Sequence, residues 1–131
     1  MLLILLSHHL LIGKSYKSKM INICVDEAYA FDFLSILEIK KNHSDQAMQS
    51  WHNCFNYLKA QLPNNLFALI INSQEYRDMV DANQKTFDAV ELARNNKITS
   101  KELDKTNFVR YQMKINLQNK FFSNRITEFK T

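Results

Sequence analysis

The apolar and polar positions from residue 20 onward predict one short extended run followed by helices. In Met20–Val25, Ile21, Ile23 and Val25 point one way while Asn22 and Cys24 point the other. That period of two predicts an extended segment, which must pair across a dimer or pack on helices. Asp26 then reads as an N-cap with Glu27 in the first turn, opening a helix to about Lys41. Tyr29, Phe33, Ile36, Leu37 and Lys40 share one side of it at helical spacing. Ser44 caps a second helix, in which Met48, Trp51, Phe55, Leu58 and Leu62 make an apolar stripe opposite Gln49, Asn53, Asn56 and Lys59. Pro63-Asn64-Asn65 ends that helix.

Leu66–Ile71 is continuously apolar, as a buried strand would be. The series Leu66, Leu69/Ile70, Ser73, Tyr76, Val80, Asn83, Phe87, Val90 and Arg94 keeps helical spacing instead. It predicts one helix, or two nearly continuous ones broken at Asn72–Ser73, with Ser73 capping the second piece. Asn95–Thr99 connects to a last helix from about Ser100 to Arg125, opened by the capping-box pattern Thr99-x-x-Glu102.

That last helix carries two apolar stripes. Leu103, Thr106, Val109, Met113, Leu117 and Phe121 form one; Phe108, Tyr111, Ile115 and Phe122 form the other. Two stripes require two partners, the chain's own core and a neighbouring helix or subunit. Phe108, Tyr111, Ile115 and Phe122 are therefore candidate interface residues. The expected fold is all-α, four or five helices in an irregular or up-and-down bundle with a short extended N-terminal segment. The helices flanking Asn95–Thr99 are expected to pair antiparallel, because short connections join neighbours.

The first nineteen residues stand apart. MLLILLSHHLLI is shorter than the roughly 20 apolar residues of a membrane span. Its lysines follow the apolar run, whereas a signal peptide places basic residues before it. The expectation is a leader at 1–19 (read-through, tail or failed signal), a single domain at 20–126 and a frayed tail at 127–131.

Composition sharpens this reading. One Gly and one Pro in 131 residues leave sheets without their usual turn residues. They also leave no phosphate loop, dinucleotide fingerprint or nucleophile elbow, each of which needs several glycines. Cys24 and Cys54 form no CxxC pair, which suggests a reducing compartment such as the cytoplasm. The fourteen Asn, and thirteen Lys against four Arg, resemble the output of an AT-rich genome. They speak to origin rather than mechanism.

Charge is unevenly placed. Residues 20–96 carry six basic and ten acidic side chains, a net of −4; residues 97–131 carry eight basic and three acidic, a net of +5. Lys105, Arg110, Lys114, Lys120 and Arg125, interleaved with aromatics, are candidate phosphate contacts for a nucleic-acid-binding module. The competing reading is a basic face that complements the acidic helices of the same domain. Glu75-x-x-Asp78, with Asp81, resembles half of the carboxylate set by which helical nucleotide pyrophosphohydrolases hold Mg²⁺. The other half is missing, since no acid lies three positions from Glu38. His52 and Cys54 diverge by about 200° on a helix and cannot share a metal. No catalytic set, metal set, cofactor or small-molecule substrate is implied.

Asn83 lies within an apolar stripe, and Asn107 and Arg110 are one turn apart beside another. Buried amides need their hydrogen bonds met. Asn83, Asn107 and Arg110 are therefore candidates for a polar bridge that fixes helix register, with a small polar pocket as the functional alternative. The stretch SQEYRDMVDANQKTFDAVELA, with Asn83-x-x-x-Phe87-Asp88-x-Val90, Asn107-x-x-Arg110 and Phe121-Phe122, resembles a group of small helical proteins of tailed bacteriophages. The resemblance spans about residues 21–122 and implies a viral accessory protein, with no activity attached to the group. The leading expectation is a non-enzymatic interaction protein that binds itself or another protein.

Overall fold

The structure is a computed structural model, and residues 21–126 are described. The expectations for 1–19 and 127–131 lie outside the described residues. Five helices follow in order: α1 (Glu27–Lys40), α2 (Asp45–Gln61), α3 (Asn64–Ile71), α4 (Gln74–Arg94) and α5 (Ser100–Phe121). The fold is all-α, with no strand among the described residues. Residues 21–26 lead into α1 without regular structure, and Ile23 and Val25 are exposed. The alternation there does not turn an apolar edge into the core.

Local chemistry sets most helix ends. Ser44 Oγ accepts the Ala47 N–H at 3.0 Å, Ser73 Oγ the Tyr76 N–H at 3.1 Å and Thr99 Oγ1 the Glu102 N–H at 3.2 Å. Each cap satisfies an amide that the helix itself cannot. The apolar run at 66–71 is helical, and the chain breaks at Asn72–Ser73 before α4 begins. At the far end of α4, Asn96 takes a left-handed φ of 56°. Its N–H bonds Ala93 O, and the Lys97 N–H bonds Leu92 O. This is a Schellman stop, with Asn supplying the conformation usually left to Gly.

α1 is the central helix. Ala28, Phe31, Leu34, Ser35 and Ile36 are all buried, so burial runs nearly around its circumference. A single stripe through Tyr29, Phe33, Ile36 and Leu37 was expected, yet Phe33 and Leu37 are only half-buried. The reason is packing on several sides, since α2, α4 and α5 all touch α1. α2 contributes Leu58, Trp51 and Phe55, and α3 contributes Phe67 and Ile70. Phe55 meets the Phe67 ring edge-on at 4.9 Å between centroids, and Phe31 lies 6.1 Å from Phe67.

α4 and α5 form the most extensive helix pair, an antiparallel hairpin across residues 95–99. Tyr76, Met79, Asn83, Thr86, Val90 and Ala93 are spaced alternately three and four residues apart, as are Leu103, Thr106, Arg110, Met113 and Leu117. That spacing makes a coiled-coil-like seam. Arg110, rather than the expected Val109, takes the inward position, and Val109 is 45% exposed. Ala82 and Ala89 are also buried, so the buried face of α4 is displaced from the Val80–Phe87 line read from the sequence. Both hairpin helices run about 30 Å but α1 only about 20 Å. The far end of α1 is marked by Lys40 Nζ, 5.3 Å over the Phe87 ring. From residue 90 to residue 109 no residue is buried. Among the described residues no helix is long and apolar enough to cross a membrane.

Candidate functional site

The most concentrated polar chemistry lies where α1, α4 and α5 meet. Asp32 and Ser35 sit one turn apart within the apolar stretch of α1 from Ala28 to Leu37, and both are buried. Asn83 of α4 donates through Nδ2 to Asp32 Oδ1 at 2.8 Å and to Ser35 Oγ at 2.6 Å. Ser35 Oγ donates to the Asp32 carbonyl at 2.7 Å. Arg110 of α5 donates from Nε to Asn83 Oδ1 and from Nη2 to Asp32 Oδ2 at 3.2 Å. Lys114 Nζ stands 3.9 Å from the same Oδ2 and 4.2 Å over the Tyr29 ring. A carboxylate in this position requires such partners, because an unpaired buried charge is prohibitively costly.

The junction holds one carboxylate and two cations. Burial pulls the Lys114 pKa below the ordinary lysine value of 10.5; Asp32 opposes that shift and Arg110 adds to it. Arg110 has the stronger attachment, with hydrogen bonds to two side chains on two helices.

A second junction ties the ends of the fold together. Gln118 of α5 is fully buried, and its Oε1 accepts the Ala28 N–H at 2.9 Å. Its Nε2 donates to Glu27 Oε1 and to the Asn124 carbonyl, each at 2.9 Å. Asp26 occupies the N-cap position of α1, but the side-chain cap comes from α5 instead.

The expected bridge residues separate. Asn83 and Arg110 come together, whereas Asn107 is exposed and lies outside the network. One turn before Arg110, Asn107 lies off the Leu103–Thr106–Arg110 seam and faces outward. Among the candidate phosphate contacts, Arg110 and Lys114 are corrected: both point inward to Asp32, with side chains only 9% and 12% exposed. Lys105 and Arg125 are exposed, and Lys120 pairs with Glu75 of α4 at 3.4 Å.

The second stripe of α5 divides as well. Phe122 packs against the core cluster, and Tyr111 and Ile115 are half-buried. Phe108 is 61% exposed. Of the carboxylates considered for metal, Asp78 accepts from Gln74 at 2.7 Å and Asp81 is exposed. No three His, Cys, Asp or Glu side chains converge among the described residues in a way that could hold a metal ion. Burial pushes the Cys54 thiol up to about 11, which leaves it protonated and unreactive at neutral pH.

A shallow cleft of about 390 Å³ lies between α1 and the start of α4, bordered by Glu38, Ile71, Arg77 and Asp81. Its polar groups are partly engaged already: Glu38 accepts from Trp51 Nε1 at 3.1 Å and pairs with Lys41. Arg77 donates to the Asn72 carbonyl and to Gln74.

Sequence reasoning missed Asp32, Ser35 and Gln118. A signal existed for the first two: an acid and a hydroxyl three residues apart inside the apolar stretch FDFLSIL call for buried partners. Gln118 carried none, because its partners are 90 and 91 residues away. Compared with known proteins, the chain matches no protein-family model, no curated protein and no solved structure.

Proposed function

We propose that this chain is a non-enzymatic interaction protein that uses the tip of the α4–α5 hairpin to bind a protein partner, its own copy or another. The observation that carries the reading is the tip itself. Residues 90–109 include no buried residue, while Phe108 and Val109 are 61% and 45% exposed. A two-helix layer cannot enclose its apolar side chains, so a third surface is needed to remove them from water. The buried polar groups support the same reading. Asp32, Asn83, Arg110 and Lys114 satisfy one another and join three helices, which suits a scaffold role. With Arg110 and Lys114 turned inward, the nucleic-acid alternative loses two of its five cations. A viral accessory role belongs to this proposal through the resemblance of residues 21–122 to small helical phage proteins.

The test places a photo-crosslinking amino acid at Phe108 of the full chain in the producing cell, with the same probe at exposed Asn56 as a control. The expected result is a discrete adduct from position 108 and none from position 56. Equal, diffuse labelling from both positions overturns the reading.

A further inference from the structure

We propose that residues 122–126 form a releasable strap, and that Gln118 makes release of the strap and uncapping of α1 a single event. The inference goes beyond the use of the hairpin tip and concerns the opposite end of the hairpin. α5 stops at Phe121, and Phe122 is extended, with φ −131° and ψ 148°. The apolar pattern outlasts the helix. Phe122 and Ile126 are half-buried against the core cluster, whereas Ser123, Asn124 and Arg125 between them are exposed. Two apolar anchors thus hold the segment down on either side of a polar bend.

The bend closes over Gln118, whose side chain is fully buried. Nε2 spends one N–H on the Asn124 carbonyl of the strap and the other on Glu27 Oε1, each at 2.9 Å. Oε1 accepts the Ala28 N–H, also at 2.9 Å. That N–H belongs to the first turn of α1 and has no acceptor within its own helix. One planar amide on α5 therefore serves both the strap and the start of α1.

Planarity couples the two. If the strap lifts, one N–H of Gln118 loses its acceptor, and a buried donor without an acceptor is costly. The amide recovers a partner by turning toward the water that replaces the strap. The same rotation carries Oε1 away from Ala28, so the cap is lost with the strap. Release also lifts Phe122 and Ile126 off the core, and the open form shows apolar surface that the closed form hides. Opening of a terminal segment with the remaining fold intact is a normal local event.

Site-resolved hydrogen exchange on the full chain tests this. Ile126→Ser removes one anchor of the strap and leaves α1 and Gln118 unaltered in sequence. The expected result is faster exchange, by about tenfold, at both the Ala28 amide and the Gln118 side-chain amide. The two should accelerate by the same factor, while the Leu34 and Met79 amides keep their wild-type rates. Acceleration at Gln118 without Ala28 overturns the coupling. No acceleration at either overturns the strap. An equal rise at all four positions shows that the segment is ordinary core, and overturns the proposal too. Circular dichroism establishes that the variant is folded; if it is not, Ile126→Ala takes its place with the same readout.

Discussion

The two ends of the α4–α5 hairpin share a helix pair and a seam spacing but not a physical state. At the base, α4 from Tyr76 to Ala89 and α5 from Arg110 to Gln118 contain every buried residue of the hairpin. At the tip, residues 90–109 contain none. The difference is α1, which covers the base and ends near Phe87. Two helices alone bury one line of side chains between them; a third helix converts that line into a core. Even a salt-bridged Arg can be buried on the face of α5 that meets α1 and α4, while Phe108, two residues away and about 200° round the helix, remains largely in water.

Removing Arg110 should give the largest effect. Arg110→Met leaves Asp32 with the Asn83 hydrogen bond and, as its one cation, the more distant Lys114, and is expected to destabilise the fold by about 3–5 kcal/mol in urea unfolding. A loss under about 1 kcal/mol would mean that the base does not depend on the polar junction.

Matched leucines sharpen the contrast. Leu117 is fully buried, so Leu117→Ala should cost about 2–5 kcal/mol. Leu103, half-buried at the tip, should lose no more than about 1 kcal/mol on the same change. Equal losses at the two positions would erase the distinction between base and tip.

Lys114→Met should change stability at neutral pH by less than about 1 kcal/mol, because lost attraction to Asp32 is offset by relief from burying a charge. The sign with pH is fixed. The folded-state pKa lies below the unfolded 10.5, so between these values the unfolded chain holds more protons. The desolvation penalty is therefore full below the lowered pKa and fades as pH rises toward 10.5. Wild type should gain stability relative to Lys114→Met on going from pH 7 to pH 10, measured as the difference between paired urea curves. A constant difference would show that Lys114 keeps its ordinary proton affinity.

The smallest effect belongs to Phe108→Ser, expected within about 0.5 kcal/mol of wild type in the monomer despite deleting an aromatic ring. A large loss would place Phe108 in a core rather than on a surface.

Helix existence was legible in the sequence wherever the determinant was local. Ser44, Ser73 and Thr99 cap the helices they were read to cap, and the near absence of Gly and Pro pointed to a helical chain. The site was only partly legible. Asn83 and Arg110 declared themselves by interrupting or bordering apolar stripes, but the same reasoning selected exposed Asn107.

Three decisions belonged to the tertiary structure. Only the packing of α1 between its neighbours decided that Asp32 and Ser35, rather than Asn107, complete the junction. Only the unequal lengths of α1 and the hairpin decided that one end of a uniform-looking heptad pattern would be core and the other surface. Only a contact spanning 90 residues decided that Gln118 would cap α1. Caps, turn residues and periodicity act over a few positions and are written in the chain. Which face of a helix is buried depends on what arrives beside it.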